Sequence, residues 1–394
     1  MSPTRVGILT THPIQYQVPW FRLLAQQPGI DLQVLFCMLP DAEQQGKGFG
    51  VAFDWDIPLL DGYAYRVLDN RAQCPSVTTF AGCDTPEIFR IVRQEHWDAF
   101  IVNGWVAKSC LQLLAACRLQ GVPCIVRGES NAIRPRSGWK RGLHRLLLRQ
   151  YAAFLAIGSG NRAFYLANGV PPGRIFDAPY CVDNDRFACE VRRLQPERPF
   201  TYLFSGKLIP KKRPMDVLKA LAWLQAQAPD MRVELVIAGD GELRSACEAF
   251  SAAERLPVRF AGFMNQTAIG QAYQDADCLV LPSDHGETWG LVVNEAMASG
   301  IPAIVSDQVG CHRDLIVAGE TGWTFPCGDV AALGARMLDA ASDRARAQRM
   351  GSAAGLWVRG GFNYQRVTDG TLAALHHLGL IANHRSVGTD RGFE

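Results

Sequence analysis

Glu287 and Glu295 lie eight positions apart in the stretch Leu281-Pro-Ser-Asp-His-Gly-Glu-Thr-Trp-Gly-Leu-Val-Val-Asn-Glu-Ala-Met-Ala-Ser-Gly300. An ionised carboxylate only accepts hydrogen bonds, so each glutamate suits a partner with hydroxyl groups. The segment has the pattern strand, loop, helix. An apolar run over 277–281 is ended by Pro282, Thr288 stands where an N-cap belongs, 290–299 has helical spacing, and Gly300 is a natural stop. A helix that opens after a parallel strand turns its free N–H groups toward the crevice at the strand's carboxyl edge, where anions bind. Glu287 falls just before that helix start and Glu295 about two turns in, at most ~12 Å away.

A glutamate pair of this spacing is common, and its surroundings give it weight. Gly206-Lys207-Leu208-Ile-Pro-Lys211-Lys212-Arg213-Pro214 follows an apolar strand over 200–204 and opens another helix, with Pro214 suited to its first turn. The run Val236-Ile-Ala-Gly239-Asp240-Gly241-Glu242 ends a further strand with glycines where a backbone comes close to a ligand. These loops, rich in glycine, lysine and glutamate, converge on one edge of one sheet. Carboxylates flanking an anion hole suit a molecule with hydroxyls at both ends and phosphates between them. A nucleotide sugar has that form.

On these residues the half from about 200 to 329 resembles the donor domain of glycosyltransferase family 4, retaining enzymes of the GT-B fold. The family's Glu-x7-Glu matches Glu287 and Glu295, and its Gly-Arg/Lys-Leu-x3-Lys segment matches Gly206, Lys207, Leu208 and Lys212. The glycine turn Gly239 to Gly241, the turn at Gly262-Phe263, the strand start at Ala276-Asp277 and the segment 322–329 follow in order. The resemblance implies that Lys207 and Lys212 hold a diphosphate, that Glu295 accepts from ribose hydroxyls and that Glu287 touches the donor sugar. Thr288 and the N–H groups of Trp289, Gly290 and Leu291 complete the donor site, and backbone near Phe263 and Met264 faces the base. One departure is Lys207, where the family often has arginine: lysine offers a point charge, not a planar fork. Glu287 is read as a sugar-binding group; the two-carboxylate mechanism of retaining hydrolases keeps a nucleophilic role open.

The elements that must position these residues alternate strand and helix, which predicts two parallel-sheet domains. The first half reads as strands over 6–10, 31–37, 99–103, 123–127, 154–158 and 174–178. Its helices fall near 16–27, 86–94, 107–120, 142–151 and 161–168. A charged, proline-interrupted segment, 188–199, reads as a linker. The expected fold is α/β, GT-B: two Rossmann-like, doubly wound domains facing across a cleft. Their expected spans are 1–187 for the acceptor domain and 200–356 for the donor domain. The tail 357–394 is helical through 377 and, by resemblance, crosses back to the first domain.

The first domain departs further from the family. The loop after its first strand is Thr10-Thr11-His12-Pro13-Ile14-Gln15-Tyr16-Gln17 instead of a Gly-Gly loop, which makes His12 a candidate contact for a phosphate or an acceptor hydroxyl. Glu129, after the strand 122–127, occupies the slot where many members place a donor-contacting histidine; a helix-start carboxylate is the alternative. From Ser130 to Phe176 the chain has no acidic residue. Arg134, Arg136, Lys140, Arg141, Arg145 and Arg149 are interleaved there with Trp139, Leu143, Leu146, Leu147 and Leu148. That composition fits either a solvated basic helix or a segment resting on anionic lipid headgroups. The pairs Asp54/Asp56, Asp183/Asp185 and Asp275/Asp277 lie away from the phosphate loops, so no metal and no cofactor is expected beyond the donor itself.

A chain of 394 residues with 48% hydrophobic content can build two ordinary cores, and a net charge of +2 is too small to argue for nucleic acid, which is not expected as a partner. The 12 cysteines contain no Cys-x2-Cys pair and read as small buried thiols in a reducing compartment. Met1 to Arg5 lead directly into a strand, without a signal segment, and no apolar run approaches the ~20 residues of a membrane span. The expected location is cytoplasmic or peripheral on the inner membrane face. The expected function is transfer of a hexose-type sugar from a nucleotide donor to a sugar, lipid-linked or small-molecule hydroxyl, in polysaccharide or glycolipid synthesis. A GT-B epimerase, a phosphorylase or a non-catalytic nucleotide-sugar-binding partner is the rival reading.

Overall fold

The computed structural model describes residues 2–133, 137–188 and 197–382. The expected linker falls largely on 189–196, and Arg134 and Arg136 of the basic stretch on 134–136, both outside the described residues. The first sheet holds β1 (Thr4–Thr10), β2 (Ile30–Phe36), β3 (Ala64–Val67), β4 (Ala99–Val102), β5 (Cys124–Val126), β6 (Ala153–Ala156) and β7 (Ile175–Asp177) in the order β3-β2-β1-β4-β5-β6-β7. The second holds β8 (Phe200–Ser205), β9 (Val233–Ala238), β10 (Val258–Gly262), β11 (Cys278–Leu281), β12 (Ala303–Ser306) and β13 (Gly322–Phe325), ordered β10-β9-β8-β11-β12-β13. Every pairing is parallel. Central strands such as β4, β8 and β11 are buried along their whole length, as strands covered by helices on both faces must be.

The sequence pattern misses β3. It is short, pairs only with β2, and leaves Tyr65 and Val67 each 42% exposed, so no alternation marks it. The helix expected at 142–151 starts earlier and spans Gly138–Leu148, because its N-terminal turn faces solvent and carries no apolar period.

The chain returns to the first domain at its end. The helix Arg344–Gly361 buries Ala354 and Val358 in the second domain's core, whereas Tyr364–His377 buries Val367, Ala374 and Leu375 with Val6, Ile8 and Phe21 of the first. Gly370 makes that approach possible: a Cβ there would stand 2.0 Å from the Asp177 carbonyl oxygen on β7. Asn184 holds the crossing by donating to the Phe362 carbonyl at 3.0 Å.

Candidate active site

The loop after β8 is shaped by backbone contact with the loop after β9. Gly239 has φ +147°, and a Cβ on it would lie 1.9 Å from the Gly206 carbonyl oxygen; one on Gly241 would lie 2.7 Å from that of Leu208. The close approach that these glycines permit is therefore loop on loop. Past Leu208 a single turn, Pro210–Lys212, runs into Arg213 at φ +51° and the helix Pro214–Gln227, with proline in its first turn. This turn aims Lys212 back at the loop after β11, where its ammonium pairs with Glu287 Oε2. Side-chain exposure of the two is 12% and 14%. Lys207 points elsewhere: its Nζ donates to the Lys47 carbonyl at 2.6 Å and sits 4.6 Å from the Phe49 ring centre. Burial, then repulsion from Lys211 and Lys212, lowers its pKa below the usual lysine range.

Thr288 does not cap the helix that follows. Gly290, at φ +101°, occupies the cap position and the helix spans Leu291–Ala298, because Thr288 Oγ1 donates instead to Glu129 Oε2 at 3.0 Å. The first N–H groups of a helix have no partner a full turn back; here the Val293 N–H donates to the Gly290 carbonyl at 2.9 Å. Glu295 lies a little over one turn in, not two, since the helix opens at Leu291. It is 2% exposed; Tyr273 donates to its Oε2 at 2.6 Å and Tyr16, from the first domain, to its Oε1 at 3.4 Å. Burial pushes its pKa up to about 7, against the opposing pull of Tyr273, Arg186, Tyr16 and Lys212.

The side chain of Trp289 anchors the two domains to each other. It is 3% exposed, its Nε1 donates to Asn294 Oδ1 at 2.9 Å, and its ring fills the space a Cβ on Gly158 would take, 2.3 Å away. Glu129 is brought into the cleft, accepting from Tyr180 at 2.5 Å as well as from Thr288. Asn131 donates to the Thr288 carbonyl at 3.2 Å, and Asp314 accepts from the Ser159 backbone at 2.8 Å and hydroxyl at 2.9 Å. His12 is half-buried with Nδ1 2.9 Å from Thr11 Oγ1, and burial lowers its pKa to about 4. A neutral imidazole at neutral pH can meet a ligand by hydrogen bonding but not by charge. Phe263 packs on Phe49 and Phe53, and Met264 lies against the second domain's core.

The paired aspartates have structural partners. Asp56 accepts from Thr267, Asp183 caps the helix Asn184–Phe187, and Asp277 binds Arg198 at 2.6 Å and the Thr201 N–H at 2.9 Å. Most described cysteines are buried free thiols, Cys74 being exposed. Tyr16, Tyr273, Lys47, Phe49, Phe53 and Asp314 escape sequence reasoning. Tyr16 and Glu295 stand 279 positions apart, and no local pattern links them.

Two parallel-sheet domains that press their carboxyl-edge loops together, with lysines and carboxylates at the seam, define a two-domain α/β enzyme of the GT-B type. Solved structures support that fold. HepE of Anabaena, crystallised with UDP and glucose, superposes with a TM-score of 0.70 at 15% identity, covering 95% of this chain and 99% of that one. Sucrose-phosphate synthase from Thermosynechococcus elongatus gives 0.71 at 18% identity over the same shares. Residues 189–357 match the family described as glycosyl transferases group 1. A GDP-mannose-dependent alpha-mannosyltransferase of Mycobacterium tuberculosis is 34% identical over 291 residues, 69% of this chain and 71% of that protein. A glycogen synthase of the same organism is 33% identical over 192 residues, and that match covers 45% of its length. The chain belongs to the group 1 glycosyl transferases, retaining enzymes of family 4 that use nucleotide sugars. Among the described residues no helix is long and apolar enough to cross a membrane.

Proposed function

We propose that the second domain binds a hexose donor built on uridine or guanosine diphosphate, and that the first presents a hydroxyl of a lipid-linked or sugar acceptor. The observation that carries this is the Lys212–Glu287 ion pair beside the open end of the helix Leu291–Ala298. A diphosphate arriving there takes over the Lys212 ammonium and the helix N–H groups, releasing Glu287 to the donor sugar's hydroxyls. Lys207 leaves the Lys47 carbonyl for the same anion. As the glycosidic bond breaks, these fixed positive groups stabilise charge growing on the leaving diphosphate. Retention follows from attack on the same face, with the departing phosphate taking the acceptor's proton. Glu295 accepts from the ribose, its carboxylate passing from the tyrosine hydroxyls to those of the ligand. The bound UDP in HepE and the GDP-mannose dependence of the mycobacterial relative support the two bases named.

The acceptor side rests on the helix Gly138–Leu148. Trp139, Leu143 and Leu146 share one face and are 69%, 58% and 60% exposed, beside exposed Lys140, Arg141 and Arg145. An apolar stripe flanked by cations suits an anionic bilayer surface, as a lipid-linked acceptor requires. Thermal shift of the full chain with UDP, GDP and their hexose conjugates tests the donor reading. A ligand at 100 times its Kd stabilises the fold by ~2.7 kcal/mol. No shift with any of them would overturn it, and product formed without acceptor would indicate an epimerase.

A further inference from the structure

The segment 47–56 of the first domain crosses the cleft and lies on the donor loops of the second. Its backbone is held at both ends. Lys207 donates to the Lys47 carbonyl at 2.6 Å, Asn265 Nδ2 donates to the Asp54 carbonyl at 2.7 Å, and the Thr267 N–H donates to Asp56 Oδ2 at 3.1 Å. Between these ties stand the half-buried rings of Phe49 and Phe53. Phe49 meets the Phe263 ring at 4.9 Å, edge to face, and Phe53 meets it at 4.2 Å with planes inclined by 31°. Phe263 opens the loop after β10, the loop assigned above to the donor's base.

Half-buried aromatic faces beside cationic phosphate loops suit one ligand chemistry, a flat heteroaromatic ring attached to a phosphate chain. Phe49 and Phe53 stand outside the first domain's core: their rings meet each other at 5.7 Å, Phe53 meets Trp55 at 4.9 Å, and both reach across to Phe263 of the second domain. From this we infer that segment 47–56 is the first domain's contribution to donor binding, and that Phe53, supported by Phe49, stacks on the nucleobase. This rests on the donor site proposed above and extends it to a residue outside the family's motifs. In the free protein Phe53 covers Phe263. With donor bound, the ring-on-ring contact gives way to ring-on-base, so nucleotide binding also ties the two domains together.

The test is calorimetric titration of the full chain with UDP, GDP and inorganic pyrophosphate, which has no base. Stacking of a base on an aromatic side chain predicts that Phe53→Ala weakens the preferred nucleoside diphosphate by roughly tenfold or more, while pyrophosphate binds as in wild type. Phe53→Trp, which keeps a π-face, should restore the affinity. The ring lies in a surface segment, and an unchanged melting temperature verifies the fold. Nucleotide affinity in Phe53→Ala that is equal to or tighter than wild type overturns the inference, the latter marking the segment as a plug. A parallel loss of pyrophosphate affinity also overturns it, because the effect then runs through Lys207. Wild type that binds no nucleoside diphosphate refutes the donor site itself, and the inference with it.

Discussion

Truncating Lys212 separates what its ion pair does for the fold from what it does for the ligand. In Lys212→Ala the Glu287 carboxylate keeps its place, 14% exposed, and loses the ammonium that faces it. Breaking a buried pair by removing one partner costs ~3–5 kcal/mol. The destabilisation of Lys212→Ala should therefore be ~3–5 kcal/mol. Lys212→Ala/Glu287→Gln removes the stranded charge and should regain most of the stability. It should not regain nucleotide binding, because a lost charge-assisted contact to the diphosphate is worth ~1.5–3 kcal/mol, a factor of ~10–150 in Kd. Urea unfolding followed by tryptophan fluorescence, beside calorimetric titration with UDP and GDP, reads both quantities. A single variant as stable as wild type would falsify the electrostatic account. A double variant with wild-type nucleotide affinity would remove Lys212 from the phosphate site.

Glu295 carries a raised pKa of about 7, so the folded state holds a proton that the unfolded chain releases near ~4.3. Its contribution to stability is then present below pH ~4.3 and lost as pH rises to about 7. Glu295→Gln should lack this slope, its melting temperature gaining on wild type between pH 4.5 and 7.5, and should bind nucleoside diphosphates more weakly; parallel melting curves would refute the assignment. Gly239→Ala puts a Cβ 1.9 Å from the Gly206 carbonyl, whereas Gly121→Ala, at φ +71°, meets nothing within 4 Å. The first should lose several times the ~1 kcal/mol expected of the second, and nucleotide binding with it, as read by chemical denaturation and titration. Replacing Lys140, Arg141 and Arg145 with glutamine should weaken co-sedimentation with anionic vesicles and leave UDP or GDP affinity unchanged. Wild-type binding should fade as salt shortens the Debye length from ~10 Å at 0.1 M to ~3 Å at 1 M; no vesicle binding at low salt sinks the membrane surface.

The sequence by itself determined everything whose cause is local. Short uninterrupted apolar runs such as Cys278–Leu281, closed by Pro282, read as strands buried on both faces, and Pro214 and Gly300 bound their helices through φ. The alternation of those runs with helical periods required parallel sheets, and the ligand-type residues had to gather at strand ends. By resemblance to the family, Lys207 and Lys212 were expected to form one clamp. Only the tertiary structure turned Lys212 toward Glu287 and Lys207 toward Lys47, 160 positions away. Only it spent the Thr288 hydroxyl on Glu129 instead of a helix cap, and sealed Glu295 under Tyr16. The Phe53–Phe263 contact and the Asp314–Ser159 tie are of the same kind. Such contacts exist only once two separately folded sheets turn their carboxyl edges to each other. Hydrophobic period and turn chemistry report the neighbourhood of a few residues along the chain, and they carry no information about which loop will stand opposite across a cleft.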